Sequence, residues 1–287
     1  TLFRGLADDL SLLDWLRKKI FPFEAAHTGQ SMYCSAMLGI TELVRSGTTT
    51  ILDMGSIHHQ EEIIRAIGET GLRAFIGKAM MDVNDLYPKL RESTKDVIVS
   101  TRTLIERWHN SYDGRIRYAV APRFVLSCSD ELLHNTREMM SSFDGLLFHT
   151  HASENIQEVD AVQARCKMAN IEFLHHLGLL SARACLAHCI HISDAEIDIL
   201  SKNKSHVTHC PSSNLKLGSG VADIPRLIDH GINVALGADG APCNNTLNMF
   251  QEMRLASLIQ KPHHGPMSMP AKKIFEMVTM AGAKALG

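Results

Sequence analysis

The feature that most limits what this chain can fold into is a regular alternation of short apolar or β-branched runs with longer amphipathic ones. Seven runs read as strands: TTTILDM (48–54), LRAFIGKAMM (72–81), IRYAVAP (116–122), LLFHTH (146–151), ACLAHC (184–189), SHVTHC (205–210) and INVALGAD (232–239). Between them lie helix-like segments. These are SMYCSAMLGITELVRSG ending at Gly47, EEIIRAIGETG ending at Gly71, VIVSTRTLIERWHN, SDELLHNTREMMSSF opened by a Ser/Asp cap, ENIQEVDAVQARC, SDAEIDILSKN, and DIPRLIDHG with Pro225 in its first turn. Such alternation means parallel strands joined by helical crossovers. Reactive residue types gather at the C-terminal ends of the strands, where a (β/α)8 TIM-like barrel keeps its chemistry. An open doubly wound sheet is the alternative, but no glycine-rich nucleotide loop follows the first strand. No linker, repeat or low-complexity tract interrupts the pattern, so residues 1–287 are expected to form one domain.

A chain of 287 residues with 45% hydrophobic content can bury a barrel-sized core. Twenty-nine basic residues against thirty-one acidic ones give a net charge of −2 with no Lys/Arg-rich block, which argues against a nucleic-acid partner. The apolar runs fall far short of the roughly 18 residues of a membrane span, and TLFRGLADDL has no signal-peptide pattern, so a cytoplasmic protein with no membrane partner is expected. Seven cysteines, an odd number without a CxxC pair, fit reduced thiols that act as small buried hydrophobes.

The stretch FHTHASENIQEVD places His149 and His151 on the same side of a strand, with Glu154 three residues after the second. Taken singly, a strand histidine is often a core residue, and a glutamate there is often a first-turn helix residue favoured by the helix dipole. His188 in ACLAHC, His209 in THCPSSN and Asp239 in LGADGAPCNN also fall at strand ends, and that coincidence favours a shared site. Imidazole and carboxylate donors suit zinc or iron in a catalytic site with an open position.

HTHASE, LAHC, THCPSSNLKLGSG and GADGAPCNNTLNMFQEMRLASLIQK resemble the amidohydrolase superfamily, in the branch of cytosine/guanine deaminase-like, nucleoside deaminase-like and triazine hydrolase-like enzymes. The resemblance runs from LFRGLADDL to AGAKALG and implies a (β/α)8 barrel that binds one divalent metal, zinc ahead of iron. By it, His151 matches the fifth-strand metal ligand. Glu154 matches the glutamate that shuttles a proton to the substrate ring. His188 matches the sixth-strand histidine that contacts the attacking water and joins the ligand set, and Asp239 the eighth-strand ligand and proton acceptor. His209 stays outside the ligand set. The family's other two ligands form an HxH on a first strand ahead of the segment that here begins at Thr1. The barrel is therefore expected to lack its first strand and the flanking small β-domain, to hold metal weakly, and to expose an edge that self-association could cover.

For the substrate, GADGAPCNN, LDMGSIHH and PAKKIFEMVTMAGAKALG resemble the enzymes that deaminate adenine nucleosides altered at the 5′ position. PRFVLSC and GKAMMDVN resemble guanine deaminases, whose purine-holding arginine and phenylalanine match Arg123 and Phe124. The nucleoside branch is favoured, because guanine deaminases usually follow the last-strand aspartate with a different, glycine-rich stretch. His58 or His59 then becomes a candidate ribose contact and Cys243 a pocket wall. The expected partner is a small purine or related heterocycle. Alternatives on the same scaffold are a guanine deaminase, a triazine hydrolase or chlorohydrolase, and an inert fragment.

Overall fold

The computed structural model describes residues Thr1–Gly287. The chain packs as two compact units, Thr1–Ala7 with Leu13–Thr150, and Asp8–Leu12 with His151–Gly287.

The first unit holds β1 (Thr50–Asp53), β2 (Arg73–Ile76), β3 (Ala79–Met80), β4 (Ile116–Pro122) and most of β5 (Leu147–Ala152). All pairings are parallel: Leu52 lies opposite Phe75, Ile76 opposite Tyr118, and Val120 opposite Phe148, while β3 pairs with the end of β4. The run LRAFIGKAMM, expected as one strand, is two. Gly77 sends its N–H to Asp53 O at 3.1 Å and lies so close to β4 that a Cβ there would meet Ala119 O at 2.2 Å. Lys78 N turns to the Tyr118 hydroxyl at 3.1 Å, so the ladder breaks before resuming at Ala79. Helices cover the strands at Gly29–Arg45, Gln60–Thr70, Thr94–Trp108 and Asp130–Ser142. Three of the four begin at a hydroxyl cap, from Thr28, Ser93 and Ser129. Ile64, Ile67, Ile76, Met80, Ile105, Ile116, Tyr118 and Phe148 fill the core between strands and helices. A π-type turn at Leu16–Ile20 runs into the short helix Phe21–Ala25, a pair of elements absent from the helix-like segments expected above.

The second unit holds the end of β5 with β6 (Ala184–His188), β7 (His206–His209) and β8 (Asn233–Leu236). Leu186 pairs with Val207 and Val207 with Val234, again in parallel. Its main helices are Ile156–Cys166, Asn170–His176, Asp194–Lys202, Pro211–Lys216, Ile224–Asp229 and Met249–His264. The last strand stops at Leu236, three residues before Asp239. Gly237 makes the exit: its N–H reaches His209 O at 2.9 Å, and a Cβ would sit 2.7 Å from Thr208 Cγ2. No helix is long and apolar enough to cross a membrane.

Candidate active site

The strand ends of the second unit carry an unusual backbone. Ser153, His188, Cys189 and Asp239 all have positive φ, at 52°, 74°, 46° and 58°. Non-glycine residues avoid this region because the Cβ crowds the backbone, at about 1–2 kcal/mol each. Two of the four, His188 and Asp239, carry side chains that meet at the strand ends.

His188 Nε2 lies 3.4 Å from Glu154 Oε2 and 3.9 Å from Asp239 Oδ2, and the His151 ring stacks on His188 with centroids 5.4 Å apart. The structure brings together His151, Glu154, His188 and Asp239, the four residues that the strand-end pattern and the resemblance assign to one site. His188 is fully buried and Glu154 is 4% exposed. Burial pushes the Glu154 carboxyl up to about 7; Asp239 and Glu158 add to the rise, and His188 and Ser219 oppose it. Burial alone would lower His188, but the Glu154 and Asp239 carboxylates outweigh it and raise the imidazole. Asp239 runs the other way: burial would raise it, yet His188 and His151, helped by Ser213, hold it below the usual carboxylate range. A buried glutamate that exchanges its proton near neutrality therefore faces a half-buried, ionised aspartate across one imidazole.

The donor chemistry suits a borderline divalent cation. Two imidazoles and a carboxylate converge, and His188 Nε2 is buried without a hydrogen-bond partner. They form part of a donor set: no three His, Cys, Asp or Glu side chains by themselves enclose a cation. His209, 1% exposed at the end of β7, has no hydrogen-bond partner on either ring nitrogen, and burial followed by the neighbouring His188 holds it down to about 3, hence neutral.

Of the expected substrate contacts, Cys243 is buried beside Asp239 and donates to Gly240 O at 3.0 Å. Arg123, Phe124 and His58 belong to the other unit. There Arg123 donates to Glu24 Oε2 at 2.8 Å with its guanidinium over the Phe21 ring, Phe124 is buried, and His58 is exposed with its ring edge to His59.

Sequence reading passed over four supporting side chains. Glu158 accepts Glu154 N at 2.8 Å and Asn170 Nδ2 at 2.7 Å; the Asn-x-x-Glu capping pattern at 155–158 was the signal for it. Ser213 donates to Asp239 Oδ2 at 2.6 Å, Asn214 Oδ1 lies 2.8 Å from His188 Nδ1, and Ser219 donates to Glu154 Oε1 at 3.2 Å. All three stand in the THCPSSNLKLGSG stretch that carries the family resemblance, but a Pro-Ser-Ser-Asn run and a Gly-Ser-Gly run after a strand look like ordinary turns and announce no partner.

The sequence profile of the Amidohydrolase family matches residues 1–287. A 5′-deoxyadenosine deaminase of Methanothermobacter thermautotrophicus is 43% identical over 291 residues, covering 100% of this chain and 66% of that relative, so the chain spans just under two thirds of that protein's length. Among solved structures, a guanine deaminase from C. acetobutylicum with bound guanine superposes with a TM-score of 0.94 at 28% identity, over 100% of this chain and 70% of that one. An adenosine deaminase from Xanthomonas campestris with bound zinc gives 0.92 at 30% identity, over 100% of this chain and 64% of that one. Their fold is the TIM-like barrel of parallel strands and covering helices, and this chain shares it.

Proposed function

The chain belongs to the amidohydrolase family, and we propose that it carries the reacting groups of a hydrolytic deaminase acting on a purine nucleoside modified at the 5′ position. One observation carries the reading: Glu154 is buried, its carboxyl is pushed up to about 7 by that burial, and it sits 3.4 Å from His188. A carboxyl that takes up and gives back a proton near neutrality is what protonation of a ring nitrogen beside an amino-bearing carbon requires. Glu154 protonates that nitrogen as water adds to the carbon, so charge does not accumulate on the ring. Asp239, held ionised beside His188 Nε2, receives the proton the water gives up. A second proton transfer releases ammonia and leaves a carbonyl in place of the amine.

His151, His188 and Asp239 would supply part of the donor set of a divalent cation, whose Lewis acidity would let water ionise near neutral pH. Zinc is proposed ahead of iron, supported by the zinc-bound adenosine deaminase neighbour. His209, with two unpartnered buried nitrogens, is the first of this chain's residues to consider as an additional donor. Support for a 5′-modified adenosine comes from the 43%-identical 5′-deoxyadenosine deaminase, and the guanine deaminase neighbour makes guanine the competing substrate.

The test is zinc content per chain together with ammonia release from 5′-deoxyadenosine, adenosine and guanine. Turnover of 5′-deoxyadenosine above the other two supports the reading. A zinc-loaded protein that releases ammonia from none of them overturns it.

A further inference from the structure

The backbone at His188 and Asp239 does not hold its own shape, since both residues sit at positive φ, and such conformations persist only where surrounding contacts over-determine them. Those contacts come from one stretch of chain. Ser213 donates to Asp239 Oδ2 at 2.6 Å, Asn214 Oδ1 accepts from His188 Nδ1 at 2.8 Å, and Ser219 donates to Glu154 Oε1 at 3.2 Å. Ser213, Asn214 and Ser219 are all 4% exposed or less.

The stretch is itself fixed at several points. Pro211 sets the first turn of the helix Pro211–Lys216. Ser212 gives its N–H and hydroxyl to the fully buried Glu252, at 3.2 and 2.5 Å. Ser219 N returns to Asn214 O at 2.8 Å and closes the loop, and the His191 ring donates to Ser219 O at 2.7 Å. Lys216 ties it to the Asp239 loop through Pro242 O and Asn245 Oδ1, at 2.8 and 2.9 Å.

We propose that residues 212–219 form a positioning clip in which Ser213, Asn214 and Ser219 separately set Asp239, His188 and Glu154. This rests on the deaminase reading above. Asn214 keeps the His188 proton on Nδ1, so Nε2 is the nitrogen presented to Glu154 and Asp239. Ser213 occupies one oxygen of Asp239 and fixes its rotation, while Gly240 N holds the other at 2.8 Å. Ser219 holds Glu154 through Oε1, which leaves Oε2 turned toward His188.

Each contact has its own client, so each variant has its own phenotype. Ser213→Ala and Asn214→Leu are expected to weaken zinc binding, measured by chelator competition, by about 10- to 100-fold. Ser219→Ala is expected to leave zinc binding in place and to lower kcat, by up to about 100-fold, with KM unchanged. Asn214→Asp and Ser213→Thr, which keep the acceptor and the hydroxyl, should restore most of each loss. Melting temperatures are recorded for every variant, and the Ser213 and Ser219 changes each delete a single oxygen, so they test the proposal even if Asn214→Leu does not fold.

A nitrogen NMR spectrum of His188 judges the clip without metal or turnover. Its Nδ1 should carry a slowly exchanging proton in the native protein and in Asn214→Asp, and lose it in Asn214→Leu. Loss of the His188 signature with no deaminase activity in any form would leave the clip standing and sink the function. An unchanged Nδ1 signal in Asn214→Leu, or the same uniform loss from all three variants in step with melting temperature, would overturn the clip.

Discussion

Replacing Glu158 tests whether the Glu154 backbone is held by a buried carboxylate. Glu158 is 1% exposed and accepts two well-formed hydrogen bonds, from Glu154 N and Asn170 Nδ2, plus a longer one from Asn155 N at 3.5 Å. Glu158→Ala strands two buried donors, each at about 1–3 kcal/mol. Some of that is recovered, because burial pushes the Glu158 carboxyl up and its ionised form is costly in place. The net expectation is about 3 kcal/mol, or a melting point lower by roughly 6–12 °C for a chain of this size. Glu158→Gln behaves differently. Its amide oxygen can still accept from Glu154 N, and its amide nitrogen can donate to Asn170 Oδ1, which is buried and unpartnered, once the Asn170 amide turns over. That turn leaves an unpartnered N–H in place of the oxygen, so a cost of about 1–2 kcal/mol remains. Thermal melts of the two variants and the parent decide the matter. Equal losses for Ala and Gln would refute the hydrogen-bond account and leave only the lost volume.

Three contacts away from the site are also open to test. Tyr118 N donates to His109 Nδ1 while His109 Nε2 donates to Asp144 O, and Asn233 Nδ2 donates to His206 Nδ1 while His206 Nε2 donates to Ala182 O. Both rings are thus bound as neutral, and burial lowers both pKa values. Their contribution to stability is complete above the unfolded value of about 6.5 and is lost as pH falls through the depressed folded values; urea titrations at stepped pH should show that decline, and it should flatten in His109→Gln. Gly77→Ala should destabilise by about 3 kcal/mol or abolish soluble expression, because its Cβ would lie 2.2 Å from Ala119 O and only backbone could yield; a native-like urea midpoint would contradict the close approach.

The fold was legible where periodicity and caps agree. Ser129 and Ser193, each with acidic residues in the first turn, marked helix starts that the structure reproduces. The break at Gly77 was not, since its cause is an approach to Ala119 O on a strand about forty residues away. The helix Asn170–His176 went unseen because its cap is Ala169, with Glu172 reaching back to the Ala169 N–H, and so it lacks the usual side-chain starter. Reactive residues could be placed from sequence, because a strand end announces itself and His151, Glu154, His188 and Asp239 stand at or near strand ends. Their supports could not. Ser213, Asn214 and Ser219 take their meaning from partners 26, 26 and 65 residues away, and Arg123 from a pairing with Glu24 that spans 99.

If Glu154 moves the proton in a hydrolytic deamination, ammonia release from 5′-deoxyadenosine must separate Glu154→Gln from the parent protein at matched zinc content. Glutamine preserves the size of the side chain and can still accept from Ser219, but it cannot carry a proton to the ring. Zinc content should be unchanged and kcat lower by about 10²–10⁴-fold. Near-parental turnover by a zinc-matched Glu154→Gln protein would contradict that role.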